Sequence, residues 1–139
     1  MINVAVAREQ KNNLTRRLNA IAAKTLRNLK VKNSQAGIFL LSSKKIASLK
    51  ARFFKKKSVR LVDVLSFPEP PNFPHPERRK RFLGEVYLNK NLIKLGEKRV
   101  GFFLIHGLLH LLGYSHGKKR DTVRMERLER KLLRKVFGN

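Results

Sequence analysis

EKRVGFFLIHGLLHLLGYSH, Glu97 to His116, is apolar on almost every side once its first turn is past. A helix with no polar face must be surrounded. The stretch therefore predicts a buried helix from about Glu97 to Leu112, with other elements packed around it. Gly113 ends it, because glycine takes the left-handed conformation that stops a helix and turns the chain. The polar exceptions inside the run are histidines. His106 and His110 are four apart, so on a helix their imidazoles project from one face. His116 lies ten residues past His106. Continued helix would carry it about 80° round the axis and about 15 Å along it. A turn at Gly113 instead lets it fold back toward the pair as a third ligand.

Three neutral imidazoles converging on one point suit a single Zn²⁺ ion with a fourth position left to water, the arrangement of catalytic zinc. Such an ion acidifies the water toward a hydroxide nucleophile and polarises a phosphoryl or carbonyl oxygen. A lone histidine on an apolar helix is more often a hydrogen-bonded core residue. Three of the chain's four histidines, spaced around a helix-ending glycine, argue for a ligand set instead. Zinc proteases of the HExxHxxGxxH type share the spacing, but in them the residue after the first histidine is the glutamate general base. Here that position is Gly107, and no other residue of the motif replaces the carboxylate. Peptide hydrolysis by that route is excluded. His75, the fourth histidine, has no ligand spacing to the other three.

Upstream, Ile2 to Ala7 reads as a short strand. Leu14, Leu18, Ile21, Ala22, Leu26 and Leu29 recur at helical spacing, with basic residues on the other face. Ala36 to Leu41 reads as a buried strand, and Ser42 or Ser43 caps a helix through Ile46, Leu49 and Phe53. Val59 to Phe67 is rich in β-branched and aromatic residues, as strands are. All five prolines fall between Pro68 and Pro76, a stiff extended connection. Phe82 to Leu88 reads as a further strand. A last helix, capped by Asp121, presents Met125, Leu128, Leu132 and Val136 to a core. Strands alternating with helices predict a mixed sheet with helices packed on it. No repeat or domain boundary interrupts residues 1–139, so one domain is expected.

The 139 residues carry 33 Lys+Arg against 9 Asp+Glu, a net charge of +24. That is far more than solubility requires, and a polyanion is the natural partner. With 42% hydrophobic residues and nine Phe, the chain is no disordered basic tail. There is no Cys, so neither a disulfide framework nor a thiolate metal site is available. The opening MINVAVAREQ lacks the pattern of a secretory signal, and no apolar run is long enough to span a bilayer. The expectation is a cytoplasmic protein without membrane attachment. Lys44, Lys45, Lys50, Arg52, Lys55, Lys56, Lys57 and Arg60 form a run with no acidic residue in it, and Arg78-Arg79-Lys80-Arg81 forms a second. Most charge runs are solvated faces. The global excess and the neighbouring strand favour a track for a phosphate backbone, with little sequence preference.

His106 to His116, HGLLHLLGYSH, together with Asp63-Val64-Leu65-Ser66-Phe67-Pro68, Leu83-Gly84-Glu85-Val86 and Met125-Glu126-Arg127-Leu128-Glu129, resembles the bacterial YbeY family of ribosomal-RNA maturation endoribonucleases. The family's motifs are HGxLHLxGYDH, a DVLSFP strand end, LGD before a strand, and a helical MExLE. The likeness is close over the second half and rests on element order in the first. It implies an α+β fold, a small mixed sheet of about four strands with about five helices. It also implies zinc held by His106, His110 and His116, and single-stranded RNA, an rRNA precursor, as substrate. The ribosome or its small subunit is the implied partner.

Two departures stand out. Ser115 replaces the usual Asp, a type of residue that orients ligating histidines. The family's substrate-contacting Arg, from a YR pair, has Lys56 at its place by ungapped count, or Arg60 if Phe53-Phe54 match the aromatic. Lys lacks the bidentate fork of Arg. Ser66, at the strand end, faces the cleft by resemblance or else caps the neighbouring turn. The leading expectation is a zinc-dependent endoribonuclease in rRNA processing, in which metal-activated water attacks a phosphodiester. The alternative is a ribosome-associated RNA-binding assembly factor whose metal is structural.

Overall fold

The structure, a computed structural model, describes residues 3–6, 13–54, 63–70, 81–115 and 117–138. Among these, four strands form one sheet: β1 (Asn3–Val6), β2 (Ser34–Leu41), β3 (Val64–Pro68) and β4 (Arg81–Asn89), in the spatial order β1-β2-β4-β3. β1, β2 and β4 run parallel, and β3 pairs antiparallel to β4 as an edge. Four α-helices accompany them: α1 (Asn13–Asn28), α2 (Ser43–Phe54), α3 (Glu97–Leu111) and α4 (Lys119–Phe137). A 3₁₀ helix (Lys90–Leu95) joins β4 to α3. This is the expected α+β architecture with a mixed four-stranded sheet.

α1 forms where the period predicts, burying Leu18, Ile21, Ala22 and Leu26 and leaving its cations in solvent. On β2, Ala36, Ile38 and Leu40 alternate onto the same core. On β4 the core residues are Leu83, Val86 and Leu88, a spacing that simple alternation forbids. The sheet resolves this with a register shift: Gln35 faces Phe82, but Ala36 faces Gly84. The extra residue is Leu83, and Gly84 absorbs the bend at φ +131°, where an L side chain is strained. A Cβ there would lie 2.2 Å from the Phe67 carbonyl oxygen. β3 can approach β4 this closely only beside glycine.

α3 is the most buried helix of the molecule, with Val100, Leu104, Ile105, Leu108 and Leu109 at 1% exposure or less. Each such residue contributes about 1.5–3 kcal/mol, which outweighs the roughly 1 kcal/mol cost of a helical glycine at Gly101 and Gly107. Pro68, expected in the proline connection, is instead the last residue of β3. An edge strand tolerates its missing N–H. Residues 59–62 of the predicted strand and most of the proline segment lie outside the described residues. Ser42, rather than Ser43, accepts from the Lys45 amide at the start of α2, while Ser43 accepts from Asn89 at the end of β4 and from Asn91 in the 3₁₀ helix. α4 begins at Lys119 without a side-chain cap, so Asp121 is not its cap but a first-turn carboxylate, where the helix dipole favours it.

No helix among the described residues is long and apolar enough to cross a membrane.

Candidate metal centre

α3 crosses behind β3 and β4 at Gly107. A Cβ on that residue would stand 2.6 Å from Val86 Cγ1, 3.1 Å from Ser66 Oγ and 3.2 Å from Val64 Cγ2. The position that carries the general base in HExxH proteases therefore points into the sheet and has no room for any side chain. Ser66 Oγ donates to the Gly107 carbonyl at 3.0 Å, tying strand to helix at the crossing. This is where the structure puts the sequence-predicted Ser66: half-buried against α3, its hydroxyl spent on the helix backbone.

One position back on the helix, His106 is turned away from the sheet, and His110 follows one turn on. Their Nε2 atoms converge to 3.0 Å. Each Nδ1 is occupied on the far side of its ring. His106 Nδ1 meets Glu129 Oε1 at 2.5 Å, and His110 Nδ1 meets the Tyr114 carbonyl at 2.9 Å. Both partners are acceptors, so a neutral ring carries its proton on Nδ1 and turns the Nε2 lone pair toward its neighbour. Two lone pairs so close need positive charge between them, either a shared proton or a metal ion. Two nitrogens bound to one tetrahedral zinc are about 3.3 Å apart, close to the separation found. The donor set fits a divalent transition metal, and the carboxylate and carbonyl behind the rings are the outer partners such ligands use.

The end of α3 supplies one of those partners. Gly113 takes φ +99°. The Gly113 amide donates to His110 O at 3.1 Å and the Tyr114 amide to Leu109 O at 3.0 Å. This paired termination turns the backbone sharply at a left-handed glycine and swings the Tyr114 carbonyl back onto His110. The predicted turn at Gly113 is present. His116 lies outside the described residues, and no group of three ligating side chains occurs among the described ones.

In the sequence Glu129 stands only as part of the helical MExLE match, with no role given to it at the histidines. It is 4% exposed on the buried stripe of α4 shared with Met125, Leu132 and Val136. The available signal was a carboxylate at an apolar helical spacing, because a buried charge needs a partner.

Of the predicted basic run, Lys44, Lys45, Lys50 and Arg52 lie on α2. Phe53 of α2 packs edge-on against Phe67, ring centroids 5.4 Å apart. Phe67 and Ser66 are adjacent on β3 and so point to opposite faces. The α2 cations are thus across the sheet from the histidines. Lys55, Lys56, Lys57 and Arg60 lie outside the described residues. Beside the histidine turn, Leu112, Gly113, Tyr114, Ser115, Asp121 and Arg124 line a cavity of about 270 Å³, with the departing Ser115 exposed at its wall.

The family model for "Endoribonuclease YbeY" matches residues 3–137. The chain belongs to this family. A YbeY endoribonuclease of Phytoplasma australiense is 32% identical over 112 residues, covering 75% of this chain and 76% of the relative. One of Myxococcus xanthus is 34% identical and covers 95% of this chain, but the match spans only 47% of that longer protein. A protein of Thermotoga maritima solved in solution shares the fold, with a TM-score of 0.61 at 23% identity over 99% of this chain and 90% of its own. The YbeY motif thus coincides with the one place in α3 where two imidazoles converge and the sheet comes close.

Proposed function

We propose that residues 1–139 act as one domain, a metal-dependent endoribonuclease that hydrolyses phosphodiester bonds in single-stranded RNA during rRNA maturation in the cytoplasm. His106, His110 and His116 would hold one Zn²⁺. The observation that carries this reading is the convergence of the His106 and His110 Nε2 atoms with both Nδ1 atoms occupied by acceptors. When bound, the ion supplies Lewis acidity, polarising a phosphoryl oxygen and acidifying an attacking water.

The chain's own residues hold that site in shape. Glu129 keeps the proton on His106 Nδ1, and the Tyr114 carbonyl does the same at His110. Ser66 and the bare Gly107 clamp the helix to the sheet, so the rings cannot drift from the substrate. Lys56 or Arg60 would grip a phosphate of the substrate, with Lys55 and Lys57 beside them, and Lys44, Lys45, Lys50 and Arg52, across the sheet from the histidines, would hold flanking RNA through long-range charge. The net charge of +24 supports the polyanionic substrate and the small ribosomal subunit as partner.

The charge also favours a second reading, an assembly factor that binds RNA without cutting it, with a structural metal. Labelled single-stranded RNA incubated with the native protein, with His110→Ala and with chelator-treated protein separates the two. Cleavage by the native protein alone supports the enzyme. RNA binding with no cleavage favours the factor, and equal cleavage by all three overturns the enzyme reading.

A further inference from the structure

α4 carries its own line of cations, apart from the run on α2. Arg120, Arg124, Arg127, Lys131 and Arg134 recur at steps of four, three, four and three residues, and all five are exposed. That spacing places them in a single row along the helix, neighbours about 5–6 Å apart, over a length of about 21 Å. Each step sets like charges side by side, which weakens an isolated helix. At the N-terminal end Arg120 is also opposed by the helix dipole. Folding alone therefore gives no reason for the row. Among the described residues the ion pairs are Arg17–Glu97 and His106–Glu129, neither of which neutralises it. Of the nearby carboxylates, Glu129 is turned inward to His106, Glu126 is off the row, and Asp121, which shares a cavity with Arg124, forms no ion pair with the row among the described residues.

We infer that this row is a second nucleic-acid contact, a ladder for the phosphate backbone of RNA flanking the cleaved segment. Its spacing is that of successive phosphates along a strand, and its ligand is read by charge alone. The row runs on the outer face of α4, opposite the side on which Glu129 meets His106, and comes nearest the histidine turn at Arg124, which lines the cavity shared with Gly113, Tyr114 and Ser115. The same Arg124 lines a groove with Arg120, Val123 and Arg127 farther out on the helix. RNA that passes the histidine turn can meet the row at Arg124 and continue along the outer face of α4. An anionic membrane fits less well, since the apolar side of α4 is buried through Met125, Leu132 and Val136 and only Val123 stands exposed beside the row, too little to insert. The inference deepens the endoribonuclease reading for its choice of RNA, but its test does not use cleavage.

The test is the salt dependence of binding to a labelled RNA hairpin with a single-stranded tail. One variant combines Arg120→Gln, Arg124→Gln, Arg127→Gln, Lys131→Gln and Arg134→Gln. A charge-keeping variant carries Lys at the four Arg positions. A control removes α1 cations through Arg16→Gln, Lys24→Gln and Arg27→Gln. With roughly 0.7 of slope per phosphate contact, the glutamine variant, lacking five cations, should lose about 3.5 units from the plot of log affinity against log salt. The lysine variant should keep them, and the glutamine variant should melt no lower than the native protein. A native slope in the glutamine variant overturns the inference. So does an equal loss per charge in the α1 control, which would make the effect one of net charge. Tighter binding of the row to phosphatidylserine vesicles than to RNA overturns it in favour of a membrane. Loss of hydrolysis with the slope pattern intact would instead count against the endoribonuclease reading alone.

Discussion

On the face of the sheet that carries α3, Gly107 sits against Val86, Ser66 and Val64 with no space for even a methyl group. On the opposite face, Phe39 stacks on Tyr87 at 4.9 Å, Tyr87 meets Phe67 edge-on at 5.6 Å, and the chain of rings ends at Phe53, which is 59% exposed. The first face holds the helix of the histidines to fixed distances. The second is looser, partly wet, and bordered by the cations of α2. Chemistry that depends on tenths of an ångström is placed where backbone and side chains leave no slack, and long-range charge where slack does no harm.

The strongest way to break this contrast is at the histidines. His110→Ala should abolish zinc retention after dialysis and reduce RNA cleavage by more than the roughly 10–100-fold that loss of an outer partner costs, with the circular dichroism spectrum unchanged. An intact metal stoichiometry in that variant would remove the pair as ligands. Next comes the crossing itself. Gly107→Val should cost about 3 kcal/mol or more in chemical denaturation, because Val86 on a central strand cannot retreat. Phe39→Leu on the looser face should cost only about 1–2 kcal/mol. Equal losses would mean the two faces are packed alike.

Glu129→Gln probes the support behind the ring. It should weaken zinc affinity about 10–100-fold, measured by competition with a chromogenic chelator, while thermal stability without metal moves little. The smallest effect belongs to the outer face. Burial, and then the Glu85 carboxylate, push the Tyr87 hydroxyl from 10.0 up to about 12. The folded state holds that proton more tightly than the unfolded chain does. The associated stability is therefore complete below about pH 10 and is lost as pH rises through 12. In Tyr87→Phe that part of the decline should be missing from a series of alkaline melts. An unchanged decline would show that the tyrosine does not contribute to it.

Much of this was legible in order along the chain. The bounds of α1 follow from a period of 3.6 in its apolar residues, α3 from an apolar run too long for a strand, the stop at Gly113 from glycine's left-handed freedom, and the strand before Pro68 from β-branched composition. Less legible was anything that depends on what an element meets. Asp121 reads as a cap, yet the helix starts two residues earlier. Asn89 and Asn91 look like loop residues, yet they tie α2 to β4 and open a 3₁₀ turn. Glu126 and Glu129 are both carboxylates on α4; spacing puts the second on the buried stripe, and only packing decides that His106 is its partner.

By itself, the sequence determined that this is a basic chain of alternating strands and helices, with two histidines on one face of a buried helix and a turn just beyond them. Those properties are local, set by backbone periodicity and by the conformational range of single residues. The tertiary structure alone decided that Gly107 is bare because the sheet lies against it, and that Glu129, twenty-three residues along, stands behind His106. It also decided that the α2 cations lie across the sheet from the histidines while those of α4 line the side of that helix turned away from them. Contacts between elements depend on how whole surfaces fit, and no period within one segment encodes which neighbour it will find.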